Sequence, residues 1–201
     1  MIALDHFAVA GTSLEEASAH VEEALGVPLQ PGGPHQVFGT HNRLLGLAEG
    51  LYLEAIAIDP AATPERRPRW FDLDRFTGAP RISNWICRCE DLETTLAGLR
   101  LDAGQPVALA RVDLRWRMAV PASGTLPFDN CCPALMQWQG PHPAPGLAQQ
   151  GCTLRRLVIA HPEALALRDL LALNEARVVF EPGPAALLAE IETPHGLCHL
   201  T

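Results

Sequence analysis

The chain has 201 residues, 48% of them hydrophobic and 19% charged, enough for one compact domain or two intimately packed halves around a sizeable core. Its formal charge of −8 is spread along the sequence, and the longest basic run is ERRPR at 65–69, which argues against nucleic acid and anionic membrane as partners. No stretch approaches the roughly 20 apolar residues of a membrane span, and MIALDHFAVAG has no basic segment before its apolar run, so a cytoplasmic location is expected.

LDHFAVA (4–10) reads as a strand with His6 on the face of Leu4, Ala8 and Ala10. The helix that follows is signalled by the capping box of Ser13 and Glu16, the stripe Leu14, Ala17, Val21 and Leu25, and Gly26 as its stop. QPGGPH (30–35) has turn composition. THNRLLGLA (40–48) and LYLEAIAI (51–58), separated by Glu49-Gly50, predict a tight antiparallel hairpin. Residues 59–80 are rich in proline and charge, yet Trp70, Phe71 and Phe76 suit a segment packed over something, either a lid or a plain crossover.

ISNWICRC (82–89) opens a second strand-then-helix unit, with Asp91 as cap and Leu92, Leu96 and Leu99 as the stripe. Cys87 and Cys89 share a strand face, and with Cys131, Cys132, Cys152 and Cys198 they form no CxxC or disulfide framework, so core filling is their expected role. PVALARVDL (106–114) with RWRMAVP (115–121) reads as one long or bent hairpin arm, and ALMQWQG (134–140) closes the unit. LRRLVIAHPEALALRDLLALN (154–174) opens a third copy, continued by ARVVFEP, ALLAEIET and LCHL.

This pattern, with HxxxGTHNRLLGL (35–47), LYLEAIAIDP, GTLPF (124–128) and QWQGPHP (137–143), resembles the vicinal oxygen chelate superfamily and its glyoxalase-like domain group. The resemblance implies an α+β fold of paired βαβββ modules forming a curved-sheet cup, plus a shortened third β-α-β unit at the C-terminus. It divides the chain into a glyoxalase-like domain of two modules over 1–145 (modules 1–60 and 81–143, linker 61–80) and a third partial module over 146–201 packed on it. Superfamily members commonly hold a divalent metal in the cup and include lactoylglutathione lyases, extradiol dioxygenases and drug-resistance proteins.

The metal ligands of such modules come from first and last strands, which here implies an inner ring of His6, Glu54, Asn84 and Gln137. Asn84 follows from aligning LDHF with ISNW, and Gln137 from counting back from Pro143 as Glu54 is counted from Pro60. Asn and Gln are weak ligands for Zn, Fe, Mn or Ni, so His41, brought beside Glu54 by the hairpin, is the expected third ligand with His6 and Glu54. Glu54 interrupts an apolar strand, where a lone carboxylate is costly, so it is either paired with Arg43 or functional; a raised pKa would make it a general base. Asn42, Asn84 and Gln137 are candidate substrate hydrogen-bonding groups, while Trp85 and Trp116 are expected in the core. The expectation is a small-molecule enzyme, metal-dependent or not, of lyase, isomerase or dioxygenase type acting on adjacent oxygens; the alternative is a non-catalytic protein that sequesters a small molecule. A homodimer is a further partner expectation.

Overall fold

The computed structural model describes residues 2–201. The first module comprises β1 (Ile2–Ala10), α1 (Leu14–Leu25), β2 (Gln30–His35), β3 (Thr40–Gly46) and β4 (Tyr52–Ile58). The second comprises β5 (Arg81–Cys89), α2 (Leu92–Gly98), β6 (Gln105–Arg111), β7 (Leu114–Val120) and β8 (Ala134–Trp138). Together their strands make one curled sheet in the order β2-β3-β4-β1-β5-β8-β7-β6. The fold is thus the α+β paired-module cup, and each module contributes a parallel pair, β1 with β4 and β5 with β8.

Both helices begin where local chemistry dictates. Ser13 Oγ accepts the Glu16 N–H at 3.2 Å, and Gly26 closes α1 in the left-handed region at φ 69°. Asp91 Oδ1 accepts the Thr94 N–H at 2.9 Å to start α2. The buried stripe of α1 covers the outer face of β1 and β4, where Phe7, Val9, Leu53 and Ala55 are all buried. With its other face lining the cup, β4 is buried on both sides, which is why it reads as an almost unbroken apolar run.

Two local expectations change. QPGGPH is strand β2, paired antiparallel with β3, rather than a turn. It lies at the sheet edge, where Pro31 and Pro34 need not donate to a second neighbour. A Cβ on Gly32 would fall 1.9 Å from Asn42 Oδ1, so glycine there leaves room for that side chain. The β3–β4 connection is wider than Glu49-Gly50 alone: a 3-10 turn spans Ala48–Gly50, with Glu49 and Gly50 both at positive φ.

β1 and β5 join the modules antiparallel, and their pairing is reciprocal about Phe7 opposite Trp85. Exchanging the modules carries His6 onto Asn84 and Ala8 onto Ile86, and the observed pairs His6–Ile86 and Ala8–Asn84 map onto each other. Each strand also carries a bulge at the equivalent place, leaving Asp5 and Ser83 as the extra residues. A bulge turns the extra side chain toward the face of its neighbour, so Asp5 joins His6 and Leu4 falls on the other face with Cys87.

The third unit forms β9 (Thr153–Ala160), α3 (Ala164–Leu171), β10 (Val178–Glu181), β11 (Ala186–Thr193) and β12 (Gly196–Leu200), a separate sheet ordered β10-β9-β11-β12. It packs on the outer face of the cup: β11 approaches β5, β12 approaches α1, and Phe180 meets Trp85 edge-on at 6.1 Å. Leu157, Ile159, Ala189 and Ile191 are fully buried there and join the main core. All six cysteines are free, and five of them are buried.

Candidate active site

The floor of the cup is set by register. Glu54 on β4 lies opposite Ala8 on β1, and Ala8 lies opposite Asn84 on β5, so all three share a face. In the adjoining row Tyr52, His6 and Ile86 run side by side. Asn42 on β3 shares this face through its neighbour Leu44, which pairs with Glu54. His41 and Arg43 alternate away from it, opposite Ala57 and Ala55. His41 therefore does not join His6 and Glu54, and Glu54 has no ion pair with Arg43.

Glu54 is 5% exposed and is held by groups of the cup itself. Asn42 Nδ2–H donates to Glu54 Oε1 at 2.6 Å, His6 Nε2 lies 3.6 Å from Oε2, and His35 Nε2 lies 3.9 Å from Oε1. Burial works to raise the carboxyl pKa, but His6, His35 and Asn42 outweigh it and hold it at about 2. The raised pKa that would by itself mark Glu54 as a general base is thus not produced in the unliganded cup, and the carboxylate is ionised at neutral pH. His6 shows the complementary change: burial opposes its charge, yet Asp5 and Glu54 prevail and raise its pKa.

Asp5 is a participant that strand alternation conceals. It has no exposed surface, its Oδ1 accepts His6 Nδ1–H at 2.7 Å, and its Oδ2 accepts Trp138 Nε1–H and His142 Nε2–H, each at 3.0 Å. Arg88 adds a weaker contact at 3.4 Å. Burial would raise the Asp5 pKa, but His142 and His6 hold it well below the usual carboxylate range. The result is a line from Asp5 through His6 to Glu54, with the Tyr52 ring stacked on His6 at 4.2 Å. An anion behind one ring nitrogen orients the imidazole and aims the other nitrogen into the cup.

His35, supplied by β2, is a second cup histidine that its turn-like composition conceals. Its Nδ1 bonds Thr40 Oγ1 at 3.0 Å, while Nε2 accepts from Arg111 Nη1–H at 3.3 Å. Burial, and to a lesser degree Arg111, depress its pKa to about 4 against the pull of Glu54, so it is neutral.

The second module contributes apolar walls. Met118 and Trp116 on β7 and Met136 and Trp138 on β8 line the cavity, as does Leu114. Trp116 is therefore a wall of the site as well as core, whereas Trp85 is buried on the outer face with its Nε1–H on Cys131 O at 2.8 Å. Gln137 lies on the face opposite Trp138. Its Nε2–H donates to Glu90 O at 2.6 Å and its Oε1 accepts the Leu92 N–H at 3.4 Å, both at the start of α2. By register the counterpart of Glu54 is Ala134, opposite Ile86, so counting from the terminal prolines misplaces it by an odd number of residues.

The remaining wall comes from the 59–80 segment. Trp70 stacks on Phe38 at 4.7 Å and on Phe71 at 5.0 Å and lines the cavity, while Arg69 anchors the segment through Phe38 O at 2.8 Å and Asp74 at 2.5 Å. Two buried polar side chains here lack partners: both amide atoms of Asn84, and the Trp70 Nε1–H. The free space left in the cup is about 30 Å³.

A divalent metal would have to be held by His6 Nε2 and Glu54 Oε2, the two strong donors that face each other. His41 lies on the other face, and the Nε2 lone pair of His35 is engaged by Arg111. Among the described residues no group of three or more His, Cys, Asp or Glu side chains is arranged to hold a metal ion. Two such donors do not make a transition-metal site, so the residues present do not fit the group.

Residues 4–173 match the family model described as "Glyoxalase-like domain". Among solved structures, a hypothetical protein from Staphylococcus aureus superposes with a TM-score of 0.64 at 14% identity, covering 92% of this chain and 88% of that one. A methylmalonyl-CoA epimerase from Mycobacterium tuberculosis gives a TM-score of 0.43 at 21% identity, over 67% and 85%. A Mn(II)-bound glyoxalase from Novosphingobium aromaticivorans gives 0.47 at 9%, over 98% and 80%. No curated protein matches the chain.

Proposed function

Starting from the chain's membership of the glyoxalase-like domain family, we propose that it is a small-molecule enzyme of isomerase or lyase type that moves a proton between carbon and oxygen next to a carbonyl. The observation that carries this reading is the facing pair of His6 Nε2 and Glu54 Oε2, 3.6 Å apart and both buried in the cup, with Asp5 behind the imidazole. A substrate entering between them separates the pair and removes the charge that holds Glu54 down, so its basicity rises as the substrate binds. Glu54 then takes the proton from the carbon beside the carbonyl, and the electron pair of that C–H bond passes to the carbonyl oxygen. The His6 imidazolium, kept charged by Asp5, donates its Nε2 proton to that oxygen; Glu54 then returns its proton to the former carbonyl carbon while the hydroxyl on the carbon that lost one gives its proton to His6, so a new carbonyl forms there and both groups end as they began.

Asn84 and Trp70 supply what the dyad lacks. Trp70 lines the cup, and Asn84 lies on the strand face of Glu54 beneath it; their unpartnered groups would hydrogen-bond substrate oxygens, which accounts for polar side chains left unpaired in a buried place. Asn42 is spent on holding Glu54 and is a positioning residue. A dioxygenase reading is weaker, because it needs a redox metal and the donor set stops at two.

The test is α-proton exchange in D2O, followed by proton NMR, with small α-hydroxycarbonyl, 2-oxo acid and thioester probes. Wild-type protein should wash out the proton of at least one probe, and Glu54→Gln and His6→Gln should slow the exchange by roughly a hundredfold or more. Exchange that survives Glu54→Gln at the wild-type rate would remove the proton-transfer mechanism. No exchange with any probe would leave the sequestration reading in its place.

A further inference from the structure

Arg111 is the last residue of β6, beside the two-residue turn Val112–Asp113 of the β6–β7 hairpin. That tip reaches across the mouth of the cup from the second module to the first, where the Arg111 chain passes Gly33 of β2: a Cβ there would sit 3.1 Å from Arg111 Cδ. Its Nη1 donates to Asn42 Oδ1 at 2.9 Å and to His35 Nε2 at 3.3 Å. Both acceptors are neutral. Among the described residues no carboxylate pairs with Arg111, and its Nε and Nη2 find no acceptor in the protein.

The carboxylates of the cup are held by other groups: Asp5 by His6, His142 and, more weakly, Arg88, and Glu54 by His6. The Arg111 guanidinium thus faces, without a carboxylate partner, a cavity whose walls include Trp116, Trp138, Met118 and Met136. Half-buried at the mouth of the cup, a planar guanidinium with free N–H groups suits a planar anion that it can grip with two of them.

We propose that Arg111 is the specificity-determining residue of the cup and that the substrate is a compact carboxylate bearing an oxygen on the adjacent carbon, a 2-oxo or 2-hydroxy acid. This deepens the proton-transfer reading and rests on it. The carboxylate sits on the Arg111 fork, with the adjacent oxygen and its neighbouring C–H turned to His6 and Glu54. The free space in the cup is small, about 30 Å³, and favours a compact substrate.

Calorimetric titration with pyruvate, 2-oxobutyrate and lactate, against methyl pyruvate and propane-1,2-diol as uncharged counterparts, tests the assignment. Wild-type protein should bind at least one acid saturably and its neutral counterpart at least about tenfold more weakly, and Arg111→Met should erase that difference, with Arg111→Lys in between. Arg168→Met, on the surface of α3, should bind as wild type. The assignment is overturned if no acid binds at millimolar concentration, if ester and acid bind alike, or if Arg111→Met, folded by circular dichroism, binds the acids unchanged. Binding and exchange read together on wild-type protein separate the two proposals: acid binding with no exchange sinks the proton-transfer mechanism alone, and exchange confined to neutral probes sinks the Arg111 assignment alone.

Discussion

At the scale of single residues, the site is a set of compensated buried charges beside an uncompensated amide. Asp5, His6 and Glu54 would each be expensive to bury alone, and they persist because each faces an opposite charge or a donor at hydrogen-bonding range. Asn84 is the contrast, fully buried with neither amide atom paired. An unsatisfied buried polar group costs about 1–3 kcal/mol, so Asn84→Leu, similar in volume and free of polar atoms, should leave the thermal midpoint unchanged or raise it while weakening substrate binding. Thermal melts paired with the exchange assay check this, and a loss of stability with function retained would make Asn84 a structural residue.

At the scale of elements, the β6–β7 hairpin shows local strain at the mouth of the site. Val112 takes φ 52° and is 85% exposed, although a β-branched side chain suits the left-handed region poorly and nothing buried rewards its placement. With positive φ at its first central residue alone, this two-residue turn favours Gly at that position. Val112→Gly should therefore stabilise the protein by about 1 kcal/mol, seen as a rise of roughly 2–4 °C in Tm. An unchanged or lower midpoint would show that the tip is not strained in solution. The bulges of β1 and β5 are element-scale devices of a different kind: one extra residue in each strand places Asp5 behind His6, and the same displacement in the partner strand sets Ser83 beside Asn84.

For the whole molecule, the buried histidines tie stability to pH. His35 has a folded pKa near 4, below its ordinary 6.5, so as pH falls from 6.5 to 4 the unfolded chain takes up a proton that the folded chain refuses. Stability should drop by up to roughly 3 kcal/mol across that window, and Glu54 continues the loss from 4.5 toward 2, where its stabilising anion is protonated. His6 acts on the opposite flank: its raised pKa contributes stability below about 6.5 that is lost as pH climbs through the folded value. A series of melts from pH 4 to 9 should show a maximum near neutrality, and His35→Gln should flatten the acid side. If the acid slope survives that substitution, the burial of neutral His35 is not its source.

Much of the architecture was legible in the linear sequence because its signals are local. The strand-then-helix openings, the Ser13 and Asp91 caps, the stop at Gly26 and the hairpin around Glu54 depend on residues within a few positions of one another, and they form as those positions dictate. Glu54 and His6 stood out for a similar reason, as ionisable groups within apolar strands. What lines the cup was decided by tertiary structure, since facing depends on pairing with strands far away in sequence. Bulges between β1 and β5 put Asp5 beside His6, register made Ala134 rather than Gln137 the counterpart of Glu54, and a sheet edge turned a proline-glycine stretch into the strand that delivers His35. Side-chain alternation has a period of two, so a single displaced residue reverses a face, and only the assembled sheet reveals where that displacement occurs.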